Sequence, residues 1–309
     1  MKTFFRIIND KLHGIPVDNI GFSVDEPQYL PDEYLEKEKF LVMRTCHGLG
    51  DWVLLSAIPR LLKMKYPDCK VYVPSQKLLK KIFGTMLNNW GYGTFDASQV
   101  PEIVFLNNPY VDDFVDEYND EVFHDHYKIY DEDNDKISLV KQMLTFYQFE
   151  NIDENETQPD FYESDDEKKF IDSFLIKYNL NKFNYISVSS TFEKTANTSV
   201  LTDKVKEYDT DTWLYYGEVP IQDSVFNFLD NVLEIKDLKL SIRQQQSLKI
   251  RSGVNFGNET GMNLWTPSYS KTYVLGNTHY GPLHGGNNEG KVRKRPFKSG
   301  NFVNGVNYL

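Results

Sequence analysis

Cysteine is scarce in this 309-residue sequence, where Cys46 and Cys69 are the only two. One possible pair makes no disulfide framework and gives no sign of an oxidising compartment. Long apolar runs are missing too. Nothing approaches the ~20 consecutive apolar residues of a membrane-spanning helix. Met1 to Gly14 mixes charged and apolar residues without the apolar core of a signal peptide. These absences predict a cytoplasmic protein with no membrane span, though peripheral membrane contact stays open. Positive charge is in deficit, with 34 Lys and Arg against 45 Asp and Glu and a formal net charge of -11. A surface of that sign repels nucleic acid, so no nucleic-acid partner is expected. The tail is the exception: Lys291, Arg293, Lys294, Arg295 and Lys298 cluster there, as a solvated terminal segment or as a contact for an anionic partner. No H-E-x-x-H, C-x-x-C or G-x-S-x-G pattern occurs, which leaves zinc peptidase, dithiol redox and serine hydrolase chemistry without support.

What is present points to a folded α/β protein. A 40% hydrophobic and 15% aromatic composition can fill cores that a disordered chain could not. The length exceeds one typical domain and predicts two: residues 1–160, with an irregular lead-in over 1–38, and residues 161–309. The acidic, proline-bearing stretch Asn151 to Glu167 holds the joint.

Short apolar runs alternate with helical periodicity along both parts. Phe40 to Thr45 reads as a buried strand, Trp52 to Lys65 as a helix that Pro59 opens or kinks, and Lys70 to Val73 as a second strand, together one βαβ unit. A helix over Gln76 to Asn89, a strand over Glu102 to Leu106, an acidic loop over 112–135 and a helix over Ile137 to Phe149 follow. In the second part the readings are a helix at Phe170 to Tyr178, strands at Tyr185 to Ser189 and Trp213 to Tyr216, and a helix at Ile242 to Arg251. Strands at Gly253 to Phe256 and Thr272 to Leu275 end the series. Alternation of this kind favours parallel sheets with helices on both faces.

Ligands of such sheets sit beyond the carboxyl ends of the strands, where three turns collect reactive residue types. In the first, Gly48 and Gly50 allow close backbone approach. Asp51, placed just before the helix, is either an N-cap or a general base that takes a proton from an attacking hydroxyl. In the second, Ser189, Ser190 and the following Lys194 can hold a diphosphate, or form a solvated Ser/Thr turn. In the third, Asn258, Glu259, Thr260, Gly261 and Asn263 can present amides to a phosphate and a carboxylate to ribose hydroxyls. Capping by Asn258 or Thr260 is the plainer alternative.

Together these segments resemble the heptosyltransferases, glycosyltransferases of the family 9 type. Phe40 to Val73 looks like that family's first strand, its G-x-G-D turn, a helix with an internal proline and a "YP-x-x-K" entry to the second strand. Ser241 to Leu275 looks like its helix, strand, "G-N-D-T-G" turn and final strand. The resemblance implies a GT-B fold, with two Rossmann-like domains facing each other across a cleft, the N-terminal one on the acceptor side. It implies inverting transfer from a nucleotide-sugar donor, an ADP- or other NDP-sugar, to a glycan or lipid-linked acceptor, with no metal and no separate cofactor. Asp51 would be the base, Lys194 a phosphate partner, and Glu259, Thr260 and Gly261 would surround the donor nucleotide. The chain departs from the pattern at Glu259, where the family has Asp, and at Asn263 and Leu264, near where the family has a histidine. The phosphate turn also lacks a glycine.

Two other readings start from different residues. Asp131-Glu132-Asp133 and Asp133-Asn134-Asp135 follow the apolar Ile129-Tyr130. Such D-x-D turns hold Mn²⁺ or Mg²⁺ in metal-dependent glycosyltransferases, although an exposed, solvated acidic loop is the plainer explanation. They also begin like a calcium loop, but Lys136 takes the glycine's place. His124 and His126 add a weaker metal-ligating pair. Alternatively, the departures at the third turn fit a transferase scaffold kept as a binding or structural protein.

Overall fold

Alternation of short apolar runs with amphipathic stretches yields a mixed α/β chain built on parallel sheets. The computed structural model describes residues 6–8, 11–13, 39–43, 48–83, 96–117, 122–123, 140, 144, 147–188, 198–208, 212–258, 260–275 and 306–309. Two units, Met1–Glu163 and Ser164–Leu309, each gather their own contacts.

The first unit begins with β1 (Arg6–Ile8) and β2 (Lys11–His13), an antiparallel pair. The lead-in is therefore not wholly irregular. Two short runs bearing Ile and Leu pair in register, Ile7 opposite Leu12. Next come β3 (Lys39–Leu41), α1 (Leu49–Val53), α2 (Ile58–Lys65), β4 (Lys70–Pro74) and α3 (Gln76–Phe83). They are followed by α4 (Val100–Phe105), β5 (Asp113–Val115) and β6 (Val122–Phe123). The four strands β5-β4-β3-β6 form one parallel sheet, its core lined by Phe40, Leu41, Val71 and Val73.

Three readings change here. The helix expected from Trp52 to Lys65 is two helices: α1 ends at Val53, and Pro59 stands in the first turn of α2, where its missing N–H costs nothing. The strand expected at Glu102 to Leu106 is α4. Pro101 opens it, Asp96 caps the 3-10 turn Ala97–Gln99 ahead of it, and Val100 and Val104 are buried four residues apart. That spacing is helical, and the short apolar run concealed it. The acidic loop over 112–135 includes β5 and β6. The acidic stretch before residue 163 is also tied down. Arg60 Nε pairs with Asp160 at 2.9 Å, Arg60 donates to the Glu156 carbonyl at 2.8 Å, and Ser56 Oγ accepts from the Asp160 amide at 2.9 Å.

The second unit opens with α5 (Asp165–Lys177), whose start is fixed by a reciprocal capping box between Ser164 and Glu167. After it come β7 (Asn184–Ser187), α6 (Thr198–Lys206), β8 (Trp213–Tyr216), β9 (Val232–Glu234), α7 (Ile242–Lys249) and β10 (Val254–Asn258). The short α8 (Gly261–Leu264), β11 (Lys271–Leu275) and β12 (Val306–Tyr308) complete it. β12, not β11, is the last strand, and it adds to the sheet edge beside β11.

All six strands run parallel in the order β12-β11-β10-β7-β8-β9. That is the doubly wound order, with its reversal between β7 and β10. Successive residues of each strand feed opposite faces. Ile186, Trp213, Tyr215 and Phe256 pack with Leu201 and Val205 of α6. Tyr185 and Leu214 pack with Ile171 and Phe174 of α5 and Leu248 of α7. Helices thus cover both faces, and the chain departs into its turns at the carboxyl edge.

Candidate functional site

The reversal in the second unit brings two distant turns side by side. β7 and β10 are register-paired, Ser187 opposite Gly257, so the segment beginning at residue 188 and the segment 258–261 leave neighbouring strands. Gly257 makes the approach possible: a methyl group there would sit 2.1 Å from the Ser187 carbonyl oxygen and 2.3 Å from Asn263 Nδ2.

A buried polar cluster lies under this edge. Asn263 of α8 is fully buried and works in both directions. Its Nδ2 donates to the carbonyls of Asn258 at 2.7 Å and Ser187 at 3.3 Å. Its Oδ1 accepts from Ser187 Oγ at 2.8 Å and from the ammonium of Lys249. Lys249 Nζ also donates to Ser187 Oγ at 2.9 Å and lies 4.8 Å from the centre of the Tyr185 ring. Burial pushes the lysine down to about 7 and holds the Tyr185 phenol well above its ordinary value. The Tyr185 hydroxyl and Asn255 Oδ1 are buried and have no hydrogen-bond partner among the described residues. Lower in the unit, Asn255 Nδ2 ties the Lys249 carbonyl to Ser270 Oγ, both at 3.0 Å. This fixes the end of α7 against β10.

Of the residues expected at the donor side, Asn258, Thr260, Gly261 and Asn263 come together here. Asn258 is the buried end of β10 and does not cap α8; that position belongs to Thr260, whose side chain makes no capping bond. Asn263 points inward and braces the two strands. Ser189, Ser190, Lys194 and Glu259 lie outside the described residues. Lys249 escaped the sequence reading, and Ser187 entered it only as part of the expected strand Tyr185 to Ser189. A lysine ending a helix ordinarily marks a solvated carboxyl terminus, and a serine ending a strand marks nothing. The one available signal was α7 itself: IRQQQSLK has few apolar residues, yet directly precedes the buried strand β10.

In the first unit, Gly48 is the N-cap of α1 with extended backbone angles, φ -73° and ψ 142°. Asp51 is the third residue inside the helix, so it is not the N-cap. Gly48 comes after β3, which lies beside β6 where the strand order of that sheet reverses. The D-x-D residues 131–135, His124, His126 and the basic tail lie outside the described residues. Among the described residues, no three His, Cys, Asp or Glu side chains group as a metal site, and no helix is long and apolar enough to cross a membrane.

The chain is similar to a solved structure described as the crystal structure of the glycosyl transferase family 9 from Veillonella parvula DSM 2008. The identity is 10%, the TM-score 0.46, and the match covers 77% of this chain and 80% of that one. No protein-family model and no curated protein matches the sequence.

Proposed function

We propose that this chain is a glycosyltransferase of the GT-B type, moving a sugar from a nucleotide-sugar donor to a glycan or lipid-linked acceptor, with inversion and without a metal. One observation carries the reading. The two turns expected to bind the donor leave adjacent strands at the reversal of a doubly wound sheet, the place where such sheets receive nucleotides. In this reading Ser189, Ser190 and Lys194 take the diphosphate. Glu259 accepts from the ribose, and Thr260 and Gly261 approach the nucleotide with their backbone. Asn258 and Asn263 hold the two strand ends together from below. In the first unit, Gly48 and Gly50 keep the backbone close to the substrate, and Asp51 removes the acceptor's proton as its oxygen attacks the anomeric carbon.

Asn263 also favours a second reading, a scaffold that binds without catalysis. Its side chain is spent on internal hydrogen bonds, so it contributes no group to a ligand.

A thermal-shift panel of ADP, UDP, GDP and CMP, each with and without Mn²⁺, tests the proposal. A nucleotide at about a hundred times its dissociation constant adds about 2.7 kcal/mol, several degrees in Tm. A shift with one nucleotide, independent of Mn²⁺, is the expected result. A shift that requires Mn²⁺ would transfer the reading to the D-x-D segment. No shift with any nucleotide would contradict donor binding.

A further inference from the structure

Lys249 is the least expected group in the second unit. A lysine at the end of a helix usually keeps its charge in water and only its stem on the protein. Here the whole side chain is buried, and its ammonium reaches Ser187, the last residue of β7. It therefore stops at the level where β7 ends, beneath the carboxyl ends of the paired strands β7 and β10.

The charged groups around it do not balance it. On α7 itself, Arg243 is committed to Glu167 of α5 at 2.5 Å. β10 and α8 carry no ionisable side chain. From β7 the facing titratable group is Tyr185, which burial keeps neutral. On β11, Lys271 lies against the rings of Tyr208 and Tyr273. Glu259 is outside the described residues. Among the described residues, then, the ammonium has hydrogen-bond acceptors in Ser187 and Asn263 but no counter-charge. Such burial is costly for the charged form. An anion seated just beyond the ends of β7 and β10 would supply the missing charge where water is excluded and Coulomb attraction is strong.

We propose that Lys249 is the buried counter-charge of a phosphate-bearing ligand, and that its amine takes up a proton when such a ligand fills the crevice at the β7–β10 reversal. The inference rests on the donor-binding reading above and names the group that answers the diphosphate's charge from beneath the strands. Lys249 acts through Ser187 and Asn263, to which its ammonium donates at the strand ends, and so is a positioning residue. It follows that affinity rises as pH falls through the alkaline range, by at most about tenfold per pH unit, and levels off once the free amine is already charged.

Calorimetric titration with ADP-, UDP- and GDP-glucose, in buffers of different ionisation enthalpy, tests this directly. The pyrophosphate of these esters does not titrate near neutrality, so any linked proton belongs to the protein. At about pH 8 the wild-type protein is expected to take up about one proton per ligand, and at about pH 6 close to none. The variant K249M should bind with no pH-dependent uptake. Binding without proton uptake, or equal uptake in K249M, overturns the assignment while the donor-binding reading stands. If no nucleotide sugar binds, that reading fails and the inference with it. Should K249M not fold, the wild-type comparison between the two pH values decides alone, and uptake that does not change between them overturns the proposal.

Discussion

Gly257 and Ser187 face each other across β10 and β7 so closely that a methyl group on the glycine would stand 2.1 Å from the serine's carbonyl oxygen. The contact is backbone on backbone, and neither strand can yield without disturbing the sheet. Gly257→Ala is therefore expected to cost about 1–3 kcal/mol by overpacking. Gly253→Ala should cost less, because its new methyl would meet the side-chain atom Asn184 Oδ1 at 3.0 Å and the Phe183 carbonyl oxygen only at 3.7 Å. Urea denaturation of both variants checks the order. Equal midpoints would mean that the strands are not held this closely.

Lys249 carries a pH signature in stability. Its folded value, about 7, lies below that of an unfolded lysine, so the unfolded chain binds more protons between the two. Wild-type stability should therefore rise with pH from about 7 towards about 10, at up to about 1.4 kcal/mol per pH unit from this group. Lys249→Met removes that slope and gains most relative to wild type near neutral pH and below. Its loss of the bonds to Ser187 and Asn263 offsets part of the gain. Chemical denaturation at three pH values gives the slope, and parallel curves for the two proteins would contradict a buried lysine.

Glu167 serves two partners. It closes the capping box of α5 through the Ser164 amide at 2.8 Å, and it receives Arg243 of α7 at 2.5 and 2.9 Å. Burial pushes the carboxyl up, but the Arg243 and Ser164 hydrogen bonds outweigh it and hold the group below its ordinary value. Its contribution is then present above the unfolded carboxylate range and is lost as the solution is acidified through the folded value. Arg243→Met leaves this carboxylate mostly buried and unpaired, at an expected cost of about 3–5 kcal/mol. Replacing both partners with apolar residues should cost less. A double variant as unstable as the single one would show that the pair does not act as a unit.

Asp51→Asn is expected to lower the transfer rate by about 10²–10⁴-fold, the usual share of a general base. Nucleotide binding should persist, because the turns proposed to bind the donor belong to the other unit. As an acidic residue in the first turn of α1, Asp51 also favours the helix by about 0.3–1 kcal/mol. A variant that is slightly less stable but fully active would leave it only that role.

The parallel sheets were legible because their strands are short apolar runs, as at Phe40 and Leu41 of β3 and Trp213 to Tyr216 of β8. α4 was not, because a five-residue apolar run fits a helix or a strand until Pro101 and the Asp96 cap are seen in place. β9 and β12 are only three residues each and become strands through their partners. At the site, the turn 258–261 could be found because glycine, asparagine and threonine cluster in sequence. The Lys249–Ser187 contact could not, since its members are 62 residues apart and each looks ordinary alone. Only the strand order puts them together.

The most direct test of the account is amide hydrogen exchange of the protein saturated with the nucleoside diphosphate that raises its Tm most. Protection confined to peptides spanning residues 187–197 and 257–264 is the expected result, since these segments leave β7 and β10 at the reversal. Protection elsewhere, with both segments exchanging as in the free protein, would contradict a donor site at this edge of the sheet.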